Sequence, residues 1–300
     1  MPKIRTLYKL MKNPEKFIRV LGEKGVFNWL SDEQYLKLIY RAETGKKLDL
    51  ENPKSFNEKL QWLKLYDRNP EYVKLVDKYE VRKYIAEKIG EEYLIPLIGV
   101  YNSVDEIDWN NLPQKFVLKC THGSGCNIIC KDKSELNINL AKKKLNKWMK
   151  KNWYWFGREW PYKYIKPRII CEKYMVDESG KELKDYKIFC FNGEPKVIQV
   201  DYNRFINHKR NLYDLEWNYM PLSIKYPNDP NKIINKPQRL GEMLNIARIL
   251  SKDYPHVRVD FYSINEKIYF GELTFYHGSG FEKFEPESYN YVFGSWLQLP

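Results

Sequence analysis

Apolar positions along this chain follow two different spacings, and the change comes near residue 95. Up to about residue 75 they recur three and four apart, as on one face of a helix. Ile4, Leu7, Tyr8 and Met11 make one such face, with Lys3, Arg5, Lys9 and Lys12 around the rest, until Pro14 interrupts the pattern. Ser55 stands before Phe56, Leu60, Leu63 and Leu65, with Glu58 three places after it. That spacing predicts a helix opened by a capping box, in which serine and glutamate satisfy each other's end of the first turn. A further helix opens over residues 77–85 and ends near Gly90, and residues 94–100 read as a short strand.

Strands and helices alternate from there on. Residues 116–120 form an apolar strand carrying Lys119, the loop Thr121, His122, Gly123, Ser124, Gly125 follows, and 127–130 reads as a second strand. Leu140, Leu145, Trp148 and Met149 mark a helix, and 168–172 a strand. Residues 185–191 and 194–200 flank Asn192 and Gly193, the strongest short hairpin signal a sequence offers. Leu240, Met243, Leu244, Ala247 and Leu250 predict an amphipathic helix, after which 257–261 and 268–274 read as strands joined by a turn over 263–267. No internal repeat or low-complexity linker interrupts the pattern, which is that of an α+β fold.

Composition narrows the partners. The chain has 300 residues, 43% hydrophobic and 16% aromatic, enough for a real core in one large domain or two smaller ones. Its net charge of +12 raises nucleic acid, an anionic membrane and polyanionic substrates as partners. Acidic residues interleave with the basic ones nearly everywhere, so a solvated lysine-rich surface is the favoured reading. The basic face over residues 3–12 admits a peripheral contact with a membrane, although a helix packed on the body with its basic side in water is the plainer account. Cysteines fall at 120, 126, 130, 171 and 190 without a Cys-x-x-Cys pair, and are expected as reduced core thiols. No apolar stretch is long enough to cross a bilayer and residues 1–5 lack the run of a secretory signal, so a cytosolic location is expected.

Candidate chemistry starts with Asp260 and Glu272, one carboxylate in each of the last two apolar strands. A carboxylate buried there is costly unless a cation or donor satisfies it, and two on paired strands point to a shared Mg²⁺. Arg258, two residues before Asp260, projects to the same strand face and is placed to neutralise a transferring phosphoryl group; an internal salt bridge is the alternative. Lys119 ends a strand beside a loop whose glycines leave backbone N–H groups free to fold over phosphate oxygens. Taken alone, a simple hairpin with an exposed lysine has the advantage, and the segment is not a P-loop. Glu172, Lys173, Tyr174 and Met175 leave a buried strand for a polar connection where an adenine can meet backbone groups. Asp185 and Lys187 begin the next strand within reach of ribose or phosphate, or pair on the surface. Arg204, Lys209 and Arg210 form a basic cluster that either receives an acidic substrate or lies in a solvated loop.

The phrases over residues 116–125, 185–193, 258–261 and 270–275 resemble the TupA-like ATP-grasp family, over roughly residues 55 to 295. That family is associated with teichuronopeptide and other cell-surface polysaccharide biosynthesis, and its members are often labelled glycosyltransferases. The resemblance implies an ATP-grasp fold, two α+β subdomains clasping a nucleotide, with a helical N-terminal extension over residues 1–75. The ATP-grasp domain would be 76–300, with a smaller lid over about 115–175 and a metal-binding part over about 185–300. It implies ATP and Mg²⁺ as cofactors. Lys119 would contact the phosphates, His122, Gly123, Ser124 and Gly125 would cover them, and Glu172, Lys173, Tyr174 and Met175 would form the adenine hinge. Asp185 and Lys187 would face the nucleotide, and Arg258 would stabilise an acyl phosphate. Asp260 and Glu272 would hold the metal, joined by Thr274 where many ATP-grasp ligases have asparagine. His122 and His277 are candidates to touch substrate.

The implied reaction is ligation of a carboxylate to an amine, here an amino acid with a uronic-acid glycan or its precursor. A sugar kinase and a glycosyltransferase are the alternatives, although the Asp-x-Asp of many sugar-nucleotide enzymes is missing. A basic nucleic-acid module is disfavoured by the buried acidic strands, and no nucleic acid is expected as partner.

Overall fold

The computed structural model describes residues 14–177, 180, 183–203 and 206–300. The basic face over residues 3–12 and Arg204 lie outside the described residues. Four helices open the described chain: α1 (Pro14–Glu23), α2 (Asp32–Thr44), α3 (Phe56–Tyr66) and α4 (Tyr72–Val76). The capping box at Ser55 is present, with Glu58 Oε2 accepting from the Ser55 amide at 2.9 Å and Ser55 Oγ from the Glu58 amide at 3.3 Å. Ser31 and Gln34 build a second one at the start of α2. Asp77 does not begin the next helix. Its carboxylate turns the chain by accepting from the amides of Tyr79 and Glu80, and α5 runs Val81–Lys88.

Two antiparallel sheets follow. The first has the order β1 (Leu97–Tyr101), β4 (Ile169–Lys173), β2 (Phe116–Cys120), β3 (Asn127–Cys130). Between β3 and β4 run α6 (Ile138–Met149), which packs on this sheet through Ala141 and Leu145, and the short α7 (Tyr154–Gly157). The second sheet starts from the hairpin β5 (Asp185–Phe191) and β6 (Glu194–Tyr202), continues in β7 (Lys209–Tyr213) and β8 (Tyr219–Met220), and adds β10 (His256–Ile264) and β11 (Lys267–Thr274) on the other side of β5. Its order is β11-β10-β5-β6-β7-β8. Asn192 and Gly193 turn the hairpin with φ of 49° and 84°, left-handed values that asparagine and glycine tolerate. A small pair, β9 (Ser223–Ile224) with β12 (Phe284–Glu285), and the last helix α9 (Ser288–Trp296) complete the chain. Among the described residues no helix is long and apolar enough to cross a membrane.

Alternation decides which side of the second sheet holds chemistry. Val257, Val259 and Phe261 are fully buried on one face against α8 (Leu240–Ser251), whose Leu240, Met243, Ala247 and Leu250 meet them in one core. The opposite face carries His256, Arg258 and Asp260. At its His256 end it is covered by aromatic rings: Phe56 of α3 and Phe293 of α9 pack with Phe189 and Phe191 at centroid distances of 5.7–6.5 Å. Helices α3 and α4 are therefore part of the body's core, while α2 packs with Phe281 in a cluster of its own. At its other end the face is open, and the site lies there. The basic cluster after the hairpin is strand: Lys209 and Arg210 belong to β7, Lys209 pairs with Asp229, and Arg210 is buried on Asp201. All five cysteines are free and buried.

His256 sets a pH limit on this packing. Its Nδ1 lies 2.8 Å from the Cys190 carbonyl, so Nδ1 carries the hydrogen, while Nε2 is buried among rings without a partner. Burial pushes its pKa down to about 3, because a proton on Nε2 would have nothing to bond. The unfolded chain takes up that proton near pH 6.5 and the folded chain does not, so stability is complete above that value and falls as pH is lowered toward 3. Denaturant unfolding at pH 7.5 and pH 5.0 should show a loss of about 2 kcal/mol from this residue. His256→Leu should flatten the profile by that amount.

Candidate nucleotide and acceptor site

The site is built on a row of three directly opposed residues, Lys187 on β5, Asp260 on β10 and Glu272 on β11. Asp260 is 2% exposed, and both of its oxygens accept charged hydrogen bonds. Arg258 grips it in a two-pronged contact, Nε to Oδ1 at 2.6 Å and Nη2 to Oδ2 at 2.7 Å, and Lys187 bonds Oδ2 from the other side. The same guanidinium reaches Thr274 Oγ1 at 3.1 Å and Glu272 Oε1 at 3.4 Å. Burial by itself would lower the Arg258 pKa, but Asp260 and Glu272 raise it, so the side chain stays charged. Burial would also raise the Glu272 carboxyl, yet Lys78, Lys187 and Arg258 outweigh it and bring the pKa to about 2.

Arg258 is itself held from behind. Its Nη1 lies 2.6 Å from His277 Nδ1, which must therefore be the accepting nitrogen, and His277 Nε2 faces Glu282 Oε2 at 3.1 Å. Burial pushes the His277 pKa down to about 4, against the pull of Glu282, so the ring is neutral near pH 7 in the tautomer that accepts from arginine. Glu282 in turn takes Arg210 at 3.2 Å and Lys225 at 3.0 Å. The turn His277–Gly280 is fixed to α3, where the buried Lys64 donates to the carbonyls of Gly157 and Ser279, each at 2.7 Å. His277 thus acts on Arg258, and no bound substrate is needed to explain it.

The glycine loop between β2 and β3 sits over this row. Lys78 joins them: its Nζ bonds the Gly123 carbonyl at 2.9 Å and lies 3.4 Å from Glu272 Oε2, while its backbone amide bonds the Thr121 carbonyl. Periodicity reads Lys78 as one more surface lysine, and nothing local marks it. Gly123 has no room for a side chain, since a Cβ there would stand 2.1 Å from Trp153 Nε1. Gly123 and Ser124 line the cavity below. His122 stands back from it: its ring is buried and lies 3.1 Å from the Trp148 carbonyl at the end of α6, where it anchors the loop.

On the first sheet, Lys119 and Glu172 form an ion pair at 2.7 Å across β2 and β4. Arg82 of α5 joins Glu172 at 3.2 Å and the Ile95 carbonyl at 2.9 Å, a partner the sequence reading missed. Lys173 is exposed at the end of β4 with its amide bonded to the Pro96 carbonyl, and Tyr174 and Met175 are half-buried in the connection beyond. Asp185 lies 3.6 Å from Lys187 on the same strand.

A cavity of about 700 Å³ opens between the loop and the row. Lys187, Arg258, Glu272 and Thr274 form its floor, and Trp153, Phe156, Tyr162 and Tyr276 stand in its walls. The donor chemistry fits a hard divalent cation. Glu272 is 36% exposed and its present contacts are long, while Thr274 Oγ1 lies 3.5 Å from Glu272 Oε1. Asp260 takes three charged hydrogen bonds and retains one lone-pair site, on Oδ1. Among the described residues no three His, Cys, Asp or Glu side chains cluster into a metal site. Two carboxylates completed by oxygens from outside the protein are what Mg²⁺ takes beside a nucleotide.

A two-sheet α+β body with a glycine loop poised over opposed carboxylates defines the ATP-grasp class of enzymes. Within that class the chain belongs to the TupA-like ATP-grasp family, whose model matches residues 58–298. No curated protein matches it. Among solved structures it is similar to the D-alanine–D-alanine ligase of Bacillus anthracis complexed with ATP, at 16% identity and a TM-score of 0.39 over 67% of this chain and 53% of that one. The D-alanine–D-alanine ligase of Helicobacter pylori is similar at 15% identity and 0.40, over 82% and 70%. The ATP-grasp ligase PsnB, complexed with a precursor variant, Mg and ADP, is similar at 7% and 0.41, over 85% and 65%. The chain thus spans about half the length of the Bacillus anthracis enzyme.

The contact under the loop is directly testable. Gly123→Ala should cost about 1–3 kcal/mol in denaturant unfolding, because methyl and indole compete for one space. Trp153→Leu in the same chain should recover most of that loss, and the double-mutant cycle measures it.

Proposed function

We propose that the chain is an ATP-dependent carboxylate–amine ligase that joins an amino acid to a uronic-acid-containing surface glycan or its precursor. The observation that carries this is the row Lys187, Asp260, Glu272 with Arg258 laid across it, open to a cavity under the glycine loop. In this reading Lys119 and the amides of Gly123, Ser124 and Gly125 bind the ATP phosphates, Glu172 to Met175 the adenine, and Asp185 with Lys187 the ribose and phosphate side. Asp260, Glu272 and Thr274 would hold Mg²⁺, which would supply positive charge beside the phosphates. The substrate carboxylate attacks the γ-phosphorus and ADP leaves. The amine then attacks the acyl carbon, the C–O bond to phosphate breaks, and the amine's extra proton is released with the product.

Arg258 gives this sequence its electrostatics. Held charged and immobile by Asp260 and His277, it offers the acyl phosphate a donor that needs no reorganisation as charge develops. Lys187 spreads positive charge along the same floor. The mixed charge of the walls, with Glu159 and Glu282 beside Arg19, Arg210 and Lys225, suits a chamber that takes both an acid and an ammonium. A cytoplasmic location, where ATP is supplied, goes with this reading. A peripheral membrane contact would fall to the basic face over residues 3–12.

The test is release of ADP from Mg²⁺-ATP with uronic acids and amino acids offered singly and in pairs. ADP and phosphate should appear only when both are present. ADP with a phosphorylated sugar as stable product would mark a kinase, and binding of a sugar nucleotide without ATP a glycosyltransferase. Asp260→Asn and Glu272→Gln should each lower turnover by about 10²-fold or more and abolish stabilisation by Mg²⁺-ATP in thermal melting.

A further inference from the structure

A second cavity, of about 500 Å³, shares two lining side chains with the first. Trp153 and Phe156 line both, so the chambers adjoin along those side chains. The outer one is completed by Lys24 and Asn28 from the connection after α1, and by Lys151 and Trp155 from the segment after α6. Its chemistry is of three kinds. Indole and phenyl rings give flat apolar surfaces, and Lys151 Nζ already lies 3.7 Å from the centroid of the Trp153 ring. Asn28 and Asn152 add side-chain amides to the lining. Lys24 and Lys151 put two exposed cations at the rim.

Neither a purely apolar ligand nor a small anion uses all three. An acidic sugar does: its C–H face stacks on a ring, its hydroxyls exchange hydrogen bonds with an amide, and its carboxylate meets lysine. We propose that this outer pocket is a second saccharide subsite, taking the neighbouring acidic sugar of an oligomer whose reacting unit lies in the inner cavity. The inference rests on the ligase reading for which unit reacts. The acceptor is then a chain, and the outer pocket recognises its length and charge. Trp153 couples the two chambers, because the same indole backs Gly123 of the loop.

The experiment is calorimetric titration of the full chain, without ATP or amine, using galacturonic acid, its dimer and its trimer. Maltotriose is the neutral control, and phosphatidylglycerol vesicles are the alternative anionic surface. Trimer should bind about tenfold or more tightly than monomer, because a second seated sugar adds contacts without a second loss of freedom. Charge reversal by Lys24→Glu or Lys151→Glu should bring the trimer-to-monomer ratio toward one, and maltotriose should bind weakly. Both changes are at exposed positions, whereas Trp155→Ala would also remove the packing of Arg158 on that ring. Equal affinity for all lengths, no binding at any length, or an unchanged ratio in both variants would overturn the proposal. So would vesicle binding lost in these variants without saccharide binding. Absence of ADP release despite length-dependent binding would overturn the ligase reading and leave the subsite standing.

Discussion

Everything in the site depends on the buried ion cluster of Arg258, Asp260 and Lys187. Each of the three is at most 7% exposed, and a charge taken out of water without a partner costs several kcal/mol. The cluster is tolerated because Asp260 receives three charged hydrogen bonds and Arg258 is further satisfied by His277 and Thr274. It exists only in one register. Lys187, Asp260 and Glu272 are opposite one another because Ile188 and Val259 are opposite on the same strands, facing the core against α8. A slip of one residue would turn the apolar set into the cleft and the charges into the core. Core packing therefore positions the reacting floor, and no separate device is needed.

Tension between the two sheets runs through one lysine. Lys78 sits in the turn between α4 and α5, bonds a loop carbonyl with the same Nζ that faces Glu272, and adds its own amide to the loop. The glycine loop is thus tied to the second sheet by charge and to the first by its flanking strands.

Much of this was legible in the chain, and what was not has a common cause. Alternation located β5, β6, β10 and β11, Asn192 and Gly193 located their turn, and Ser55 with Glu58 located α3, because each is a local pattern. The odd carboxylates Asp260 and Glu272 pointed to the floor, since a charge inside an apolar strand is rare without reason. The family resemblance supplied the order of the parts. By contrast β7 left no strand signal, and Lys209 and Arg210 read only as a basic cluster, for an acidic substrate or for solvent: Arg210 and Asn211 are buried on Asp201 and Asp229, which stand on neighbouring segments and not at any local spacing. Lys78, Arg82 and the tautomer-fixing role of His277 were hidden in the same way. Buried polar residues satisfied over long range leave no periodic trace, and in this fold they build most of the site.

The central claim is that a carboxylate is activated as an acyl phosphate on the Arg258 floor. It is tested most directly by labelling the substrate carboxylate with ¹⁸O and following the isotope during turnover with ATP and amine. The account predicts that one labelled oxygen per turnover appears in inorganic phosphate, because the carboxylate oxygen that attacked the γ-phosphorus leaves with it when the amide forms. Unlabelled phosphate with both labelled oxygens retained in the acid-derived product, or no phosphate released at all, would contradict it.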